Sequence, residues 1–211
     1  MKRLAAVALL ALATAGCAVP GQELAPGVAF SYDHNVVTQS QVDTIYQAWV
    51  DDTEGKDAAN RRQVMTLEAI HDSVVAAAAP VLEENGLDLN PDTLLSLSEQ
   101  WLRLKGLSGE PSAEVQRQME SAYALFVIAA TSTDGSEVEK IAEAAEAGVV
   151  GSPRAGTFDA ETFIASVFAA FTSAQNQDLQ QFAYTEFQSV NGFIEPPSTV
   201  RVKVPVPATG G

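Results

Sequence analysis

The 211-residue chain contains a single cysteine, Cys17, and only two histidines, His34 and His71. One cysteine cannot form a disulfide within the chain, and two histidines without further cysteines supply few of the ligands that zinc sites use. The sequence also lacks a Gly-rich phosphate-binding loop and the G-x-S-x-G pattern of a nucleophilic serine. We therefore expect a protein that is not an enzyme, with no catalytic residue, no metal and no cofactor.

Basic residues are scarce. The chain has 12 Lys and Arg against 27 Asp and Glu, and residues 1–16 hold two of the basic residues and none of the acidic ones, so residues 17–211 carry a formal charge of −17. Nucleic-acid binding depends on Lys and Arg that neutralise phosphates, and a protein face that lies on anionic lipid needs a basic stretch. The composition predicts neither kind of surface. Its 46% hydrophobic residues do predict a folded core.

The N-terminal hydrophobic run is too short for a membrane-spanning helix, which needs about 20 apolar residues. Met1-Lys2-Arg3 is followed by LAAVALLALATAG, an apolar stretch that ends in small residues. A basic start, about a dozen apolar residues and a small-residue exit are typical of a secretory signal peptide. We assign residues 1–16 to this signal.

Two cleavage sites compete at the end of the signal. Ala13-Thr14-Ala15 fits an ordinary A-x-A site, whereas Thr14-Ala15-Gly16-Cys17 resembles a bacterial lipobox, in which the cysteine becomes the first mature residue and carries lipid on its sulfur. Thr14 stands where a lipobox most often has Leu. We favour the lipobox, because lipid attachment explains why the chain has one cysteine and why it lies there.

Lipidation at Cys17 by a palmitate-type acyl lipid predicts a protein anchored to the cell membrane on its extracytoplasmic side. Residues 18–27 contain two Pro and two Gly, a composition typical of a linker, so residues 17–27 are predicted to be a lipidated tether. Residues 28–206 are predicted to form one helical domain, and residues 207–211 a C-terminal tail.

The predicted domain is mainly α, a multi-helix fold with a small β element formed by N-terminal and C-terminal strands. Val28, Phe30 and Tyr32 alternate as a strand does, and so do Val200, Val202, Val204 and Val206. Thr38 and Gln41 have the spacing of a capping box. Helical periodicity or capping signals predict a first helix from Thr38 and a second over about residues 60–79, with Pro80 kinking or ending that second helix. Further helices are predicted over residues 91–105, 112–131, 136–148, a segment containing Phe163–Phe171, and 178–190.

The run VAFSYDHNVVTQSQVD resembles the start of the SurA-type N-terminal chaperone domain, which is related to the C-terminal domain of trigger factor. Asp33-His34 stands near that family's Asn-Gly turn, Val37-Thr38 matches its Ile-Thr step, and Val42-Asp43 lies where its first helix begins. The resemblance covers about residues 28–106. His34 departs from the family's Gly, which adopts positive φ freely. The resemblance implies an ATP-independent chaperone without catalytic residues, and residues 28–206 leave no room for a parvulin isomerase domain.

We therefore expect a lipid-anchored, chaperone-like protein that binds unfolded or exported polypeptides. A scaffold lipoprotein with one folded partner is the alternative. For a client-binding site the sequence offers Phe182, Tyr184 and Phe187, because the apolar residues of the last helix spread over about 200° of an α-helical wheel. Either this helix is buried on more than one side, or Phe182 or Tyr184 lines an exposed groove.

Overall fold

The computed structural model describes residues 24–195, except residues 34, 57–58, 133 and 177–179 and the side chains of residues 180–183. The predicted fold, mainly α with a small β element, is confirmed. In chain order the elements are β1 (Val28–Tyr32), β2 (Asn35–Thr38), α1 (Gln39–Asp52), α2 (Arg61–Glu84), α3 (Pro91–Leu104), α4 (Ala113–Thr131), α5 (Ser136–Gly148), β3 (Val149–Gly151), β4 (Thr157–Phe158), α6 (Ala160–Gln175), a 3₁₀ helix (Gln180–Ser189) and β5 (Phe193–Ile194).

The described β structure consists of two small antiparallel sheets. β1 is the central strand of the first sheet, in the order β2-β1-β3, and β4 pairs with β5 in the second. The predicted partner of β1, residues 200–206, lies outside the described residues. Both edges of β1 are already paired, so β2 and β3 flank it where a C-terminal strand was expected.

The first two helices begin with complete capping boxes. At α1, the Gln41 N–H donates to Thr38 Oγ1 at 3.2 Å and the Thr38 N–H donates to Gln41 Oε1 at 2.8 Å. At α2, Asn60 and Gln63 exchange the equivalent bonds at 3.1 and 2.7 Å. Each box satisfies backbone N–H groups that the first turn of a helix leaves free. The predicted start of the first helix is therefore confirmed.

Pro80 was predicted to kink or end the second helix, and it does not end it, because α2 continues to Glu84. Proline removes the hydrogen bond to the carbonyl four residues earlier, here Ala76. Both Ala76 and Pro80 are exposed, so water can bind that carbonyl, while Leu82 beyond the proline is buried and holds the last turn in place.

The core lies between α2 and α4, with α1 and α3 closing one end. Trp49 of α1 and Trp101 of α3 are fully buried and meet edge to face, with ring centroids 5.0 Å apart. At the other end Phe193 contacts Phe30 and Phe158, with centroids 5.4 and 5.6 Å apart. These aromatic contacts connect the sheets to the helices.

The last helix is a 3₁₀ helix and not the predicted α-helix over 178–190. A 3₁₀ helix has three residues per turn, so residues three apart share one face. Tyr184, Phe187 and Val190 have this spacing, and all three are buried. Three of the apolar residues that spread widely on an α-helical wheel thus form one buried stripe at the 3₁₀ periodicity.

Candidate functional site

A surface with two concavities runs along the solvent-facing side of α2, where α2 meets α4. Its α2 residues are spaced three or four apart, so they share one helix face. α4 adds Arg117 and Glu120, one turn apart. The groove has a concavity at each end, and we call the whole surface the α2–α4 groove. Its α2 face comprises Glu68, Asp72, Val75, Ala79 and Glu83.

The first concavity lies beside the β-hairpin and has a volume of about 250 Å³. The hairpin contributes Tyr32, Val36 and Val37, and Glu68 and Arg117 come from the helices. Arg117 Nε donates to Glu68 Oε1 at 3.1 Å, so these two charges compensate each other. Val36 is 53% exposed and gives this end an apolar surface.

The second concavity lies beside the loop after α2 and has a volume of about 550 Å³. Val75, Ala79 and Leu82 form its α2 wall, and Leu87 and Leu89 come from the loop. Leu87 is 50% exposed. Glu83, Asp88 and Glu120 place carboxylates in the same lining.

The loop that carries Leu87 is fixed by the way α2 ends. Gly86 has φ +65°, the Gly86 N–H donates to the Glu83 carbonyl at 3.0 Å, and the Leu87 N–H donates to the Leu82 carbonyl at 2.9 Å. These bonds form a Schellman motif, which favours glycine at the left-handed position. The exposure of Leu87 is therefore set by the helix cap.

Exposed apolar side chains mark both ends of the groove. Among the described residues four large hydrophobic residues are exposed, and two of them, Val36 and Leu87, line the two concavities. The other two are Leu104, at the end of α3, and Phe168 of α6. The groove therefore combines an exposed apolar residue at each end with carboxylates along its length.

His71 lies beneath the middle of the groove and is only 6% exposed. Its Nδ1 is hydrogen-bonded to Ser121 Oγ at 2.9 Å, and its Nε2 lies 3.6 Å from Glu120 Oε2. Burial lowers the pKa of His71 to about 4; the positive charge of Arg117 adds to this shift and Asp72 opposes it. The imidazole is therefore neutral near pH 7.

Ser121, His71 and Glu120 are residue types that also serve in hydrolytic triads, but their arrangement does not suit nucleophilic attack. Ser121 is fully buried between α2 and α4, and its hydroxyl also lies within hydrogen-bonding distance, 3.4 Å, of the Arg117 carbonyl. A nucleophile must reach the reacting atom of its substrate. We interpret the cluster as a buried polar contact that holds α2 against α4.

The groove is strongly acidic. Five carboxylates line it against the single guanidinium of Arg117, and that guanidinium already pairs with Glu68. Burial raises the pKa of Glu120, an effect that Arg117 opposes. Because His71 is neutral near pH 7, it does not compensate the Glu120 carboxylate. The carboxylates are Glu68, Asp72, Glu83, Asp88 and Glu120.

Of the sequence-predicted site residues, only Tyr184 and Phe187 have side chains that the structure describes, and both are buried. Cys17 lies outside the described residues, and so does the side chain of Phe182. Tyr184 is 1% exposed and donates its hydroxyl to the Leu97 carbonyl at 3.0 Å, and Phe187 is fully buried against Phe126. The expectation of an exposed groove at Tyr184 is therefore wrong, and the alternative of a helix buried against its neighbours describes Tyr184 and Phe187.

The groove was not predictable from the sequence, because its residues come from three separate segments. A signal was present within α2, where Glu68, Asp72 and Glu83 lie on the face opposite the apolar stripe of Leu67, Ile70 and Val74. Such acidic residues ordinarily form a solvated face. Only the packing of α4 and the 86–89 loop beside them makes a concave surface.

The described residues contain no group of three or more His, Cys, Asp or Glu placed to bind a metal ion. One described helix, α2, is long and apolar enough to cross a membrane by length and composition. Half of its most apolar 18-residue stretch is buried inside the fold, and α2 packs along α4, so we interpret α2 as a core helix.

No family model, no curated protein and no solved structure matches the chain.

Proposed function

We propose that this chain is a lipid-anchored, extracytoplasmic protein with a chaperone-like function, which binds non-native or exported polypeptides without chemical conversion. The observation that carries the proposal is the α2–α4 groove, an open surface with a concavity and an exposed apolar residue at each end. From Ala69 in the first lining to Leu82 in the second, the surface that contains both concavities extends over 13 residues of α2, which is about 20 Å at 1.5 Å per residue. A polypeptide segment spans this length, whereas a small molecule fills only one concavity.

The proposed location rests on Cys17 and the leader before it. A diacyl chain on one cysteine, at about 0.8 kcal/mol per buried methylene, supplies the membrane affinity that this acidic chain does not offer through basic residues. The resemblance of residues 28–106 to the SurA-type domain supports the chaperone assignment, and the antiparallel pair β1–β2 and the capped first helix are features that such a domain start would have.

Mass spectrometry of the protein purified from bacterial membranes tests the anchor. We expect a mature N-terminus at Cys17 with a lipid adduct, and loss of that adduct and of membrane association in the Cys17→Ser variant. A mature, unlipidated N-terminus at Gly16 contradicts the proposed anchor and indicates cleavage after Ala15.

Light scattering of a denatured client tests the chaperone function. Reduced lysozyme is diluted into buffer with or without the full chain in mild detergent, and we expect less aggregation as the chain approaches equimolar amounts. Unchanged aggregation contradicts the function. A stable one-to-one complex with one folded protein, formed without suppression of aggregation, supports the scaffold alternative.

A further inference from the structure

We propose that the α2–α4 groove selects basic polypeptide segments in an extended conformation, with one apolar side chain at each end of the segment and Lys or Arg between them. This inference rests on the proposed function and names the class of segment that the groove binds. The partner's apolar side chains lie against Val36 and Leu87, and its cations lie over Asp72, Glu83 and Glu120.

Charge complementarity is the first argument for a basic partner. The groove presents five carboxylates, and its one cation, Arg117, is already paired with Glu68 at 3.1 Å. The Glu120 carboxylate is 20% exposed and faces a neutral imidazole at 3.6 Å. A Lys or Arg from a partner supplies the missing positive charge. An acidic segment meets repulsion, and a second copy of this chain, with its formal charge of −15, is unsuited for the same reason.

The spacing of the concavities is the second argument, and it favours an extended segment. Together the two concavities cover about 20 Å along α2, from Ala69 to Leu82. An extended chain rises about 3.3 Å per residue, so about six residues cover this distance. A helical partner needs about 13 residues and presents only one stripe to the groove. The predicted recognition pattern is therefore two apolar residues about six positions apart with basic residues between them.

Position on the molecule is the third argument. The exposed Val36 and Leu87 lie one at each end of the acidic stretch, whereas Leu104 and Phe168 do not border it. An apolar residue exposed beside a concavity offers a contact that a partner can bury at about 25 cal/mol per Å². Leu87 gives the test its apolar variant, and Leu104 gives the control.

Fluorescence anisotropy with a labelled ten-residue peptide tests the proposal. The peptide carries Leu and Val six positions apart with Lys and Arg between them, and a second peptide has Glu at the basic positions. The full chain in mild detergent is expected to bind the basic peptide at least about tenfold more tightly than the acidic one, with affinity falling as salt rises.

Charge-reversal variants locate the site. Glu83→Lys with Asp88→Lys changes two exposed groove carboxylates, and Glu139→Lys with Glu143→Lys makes the same charge change on exposed residues of α5. We expect the groove pair to weaken binding of the basic peptide about tenfold and the α5 pair less than about twofold. Equal weakening by both pairs overturns the proposal, because it attributes binding to net charge alone.

Apolar variants complete the test. Leu87→Ser is expected to weaken peptide binding about fivefold, and Leu104→Ser, at a similarly exposed leucine, is expected to leave it unchanged. Circular dichroism confirms that each variant is folded. Equal affinity of the two variants overturns the assignment of Leu87 as an anchor.

The basic C-terminal residues Arg201 and Lys203 are the competing occupant within the chain. If Arg201→Glu with Lys203→Glu raises peptide affinity about tenfold, the groove binds its own chain and the proposal is overturned.

If suppression of lysozyme aggregation is present but insensitive to the groove variants, this inference fails and the proposed function stands. If the peptide binds in the groove while aggregation is unaffected, the proposed function fails and the site stands.

Discussion

Replacement of His71 is expected to remove a large part of the acid sensitivity of folding. His71 is 6% exposed and bonded to Ser121 Oγ at 2.9 Å, and its pKa is lowered from 6.5 to about 4, first by burial and then by Arg117. Between these two values the unfolded chain binds a proton at this site and the folded chain does not. The contribution of His71 to stability is therefore complete above about pH 6.5 and is lost as the pH falls toward 4.

The magnitude follows from the two pKa values. One unit of pKa corresponds to 1.36 kcal/mol, so the whole pKa shift of His71 corresponds to about 3 kcal/mol in the free energy of unfolding. About 2 kcal/mol of this is lost between pH 7 and pH 4.5. Asp72, Arg117 and Glu120 are the charged groups that face the imidazole. The raised pKa of Glu120 acts in the opposite sense, because protonation of Glu120 favours the folded state as pH falls.

Urea unfolding at pH 7 and pH 4.5, followed by circular dichroism, measures the effect. His71→Gln removes the titration and keeps an amide that can bond Ser121, and His34→Gln is the matched control. We expect the wild type and His34→Gln to lose about 2 kcal/mol more than His71→Gln between the two pH values. The same pH-dependent loss in all three proteins refutes the assignment of a buried neutral imidazole.

Three further changes test the fold. Trp101→Ala, which empties the space beside Trp49, is expected to lower the free energy of unfolding by about 3–5 kcal/mol in urea titrations. Gly151→Ala places a Cβ onto the Gly156 carbonyl oxygen, so we expect a fall in melting temperature of more than about 5 °C by differential scanning calorimetry, and an unchanged value contradicts this close approach. Thr38→Ala removes one side of the first capping box and is expected to cost about 1 kcal/mol in the same urea titrations, with no loss if the box does not stabilise α1.

Signals that act within a few residues were sufficient to predict most helices. Thr38 with Gln41 fixed the start of α1, and Asn90, Pro91 and Gly106 bounded α3, where the Gly106 N–H donates to the Arg103 carbonyl at 3.0 Å. Capping depends on side chains and backbone groups that lie within one turn of each other, so such signals are readable from the chain alone.

Features that depend on distant contacts were not predictable in the same way. β3 is three residues long and pairs with β1, more than 110 residues away, and no strand was predicted there. The 3₁₀ periodicity of Tyr184 and Phe187 is set by their packing on α4, where Tyr184 meets Tyr123 with ring centroids 5.4 Å apart. The α2–α4 groove has the same origin, because Arg117 approaches Glu68 only in the folded chain.

Site-specific photocrosslinking to a denatured client tests the central claim most directly. A photoreactive residue is placed at position 87 or, as the control, at position 104, since Leu87 and Leu104 are 50% and 44% exposed. Reduced lysozyme is then added to the full chain in mild detergent and irradiated. Binding in the α2–α4 groove predicts crosslinks to lysozyme from position 87 that greatly exceed those from position 104. Equal crosslinking from the two positions, or none from position 87, contradicts it.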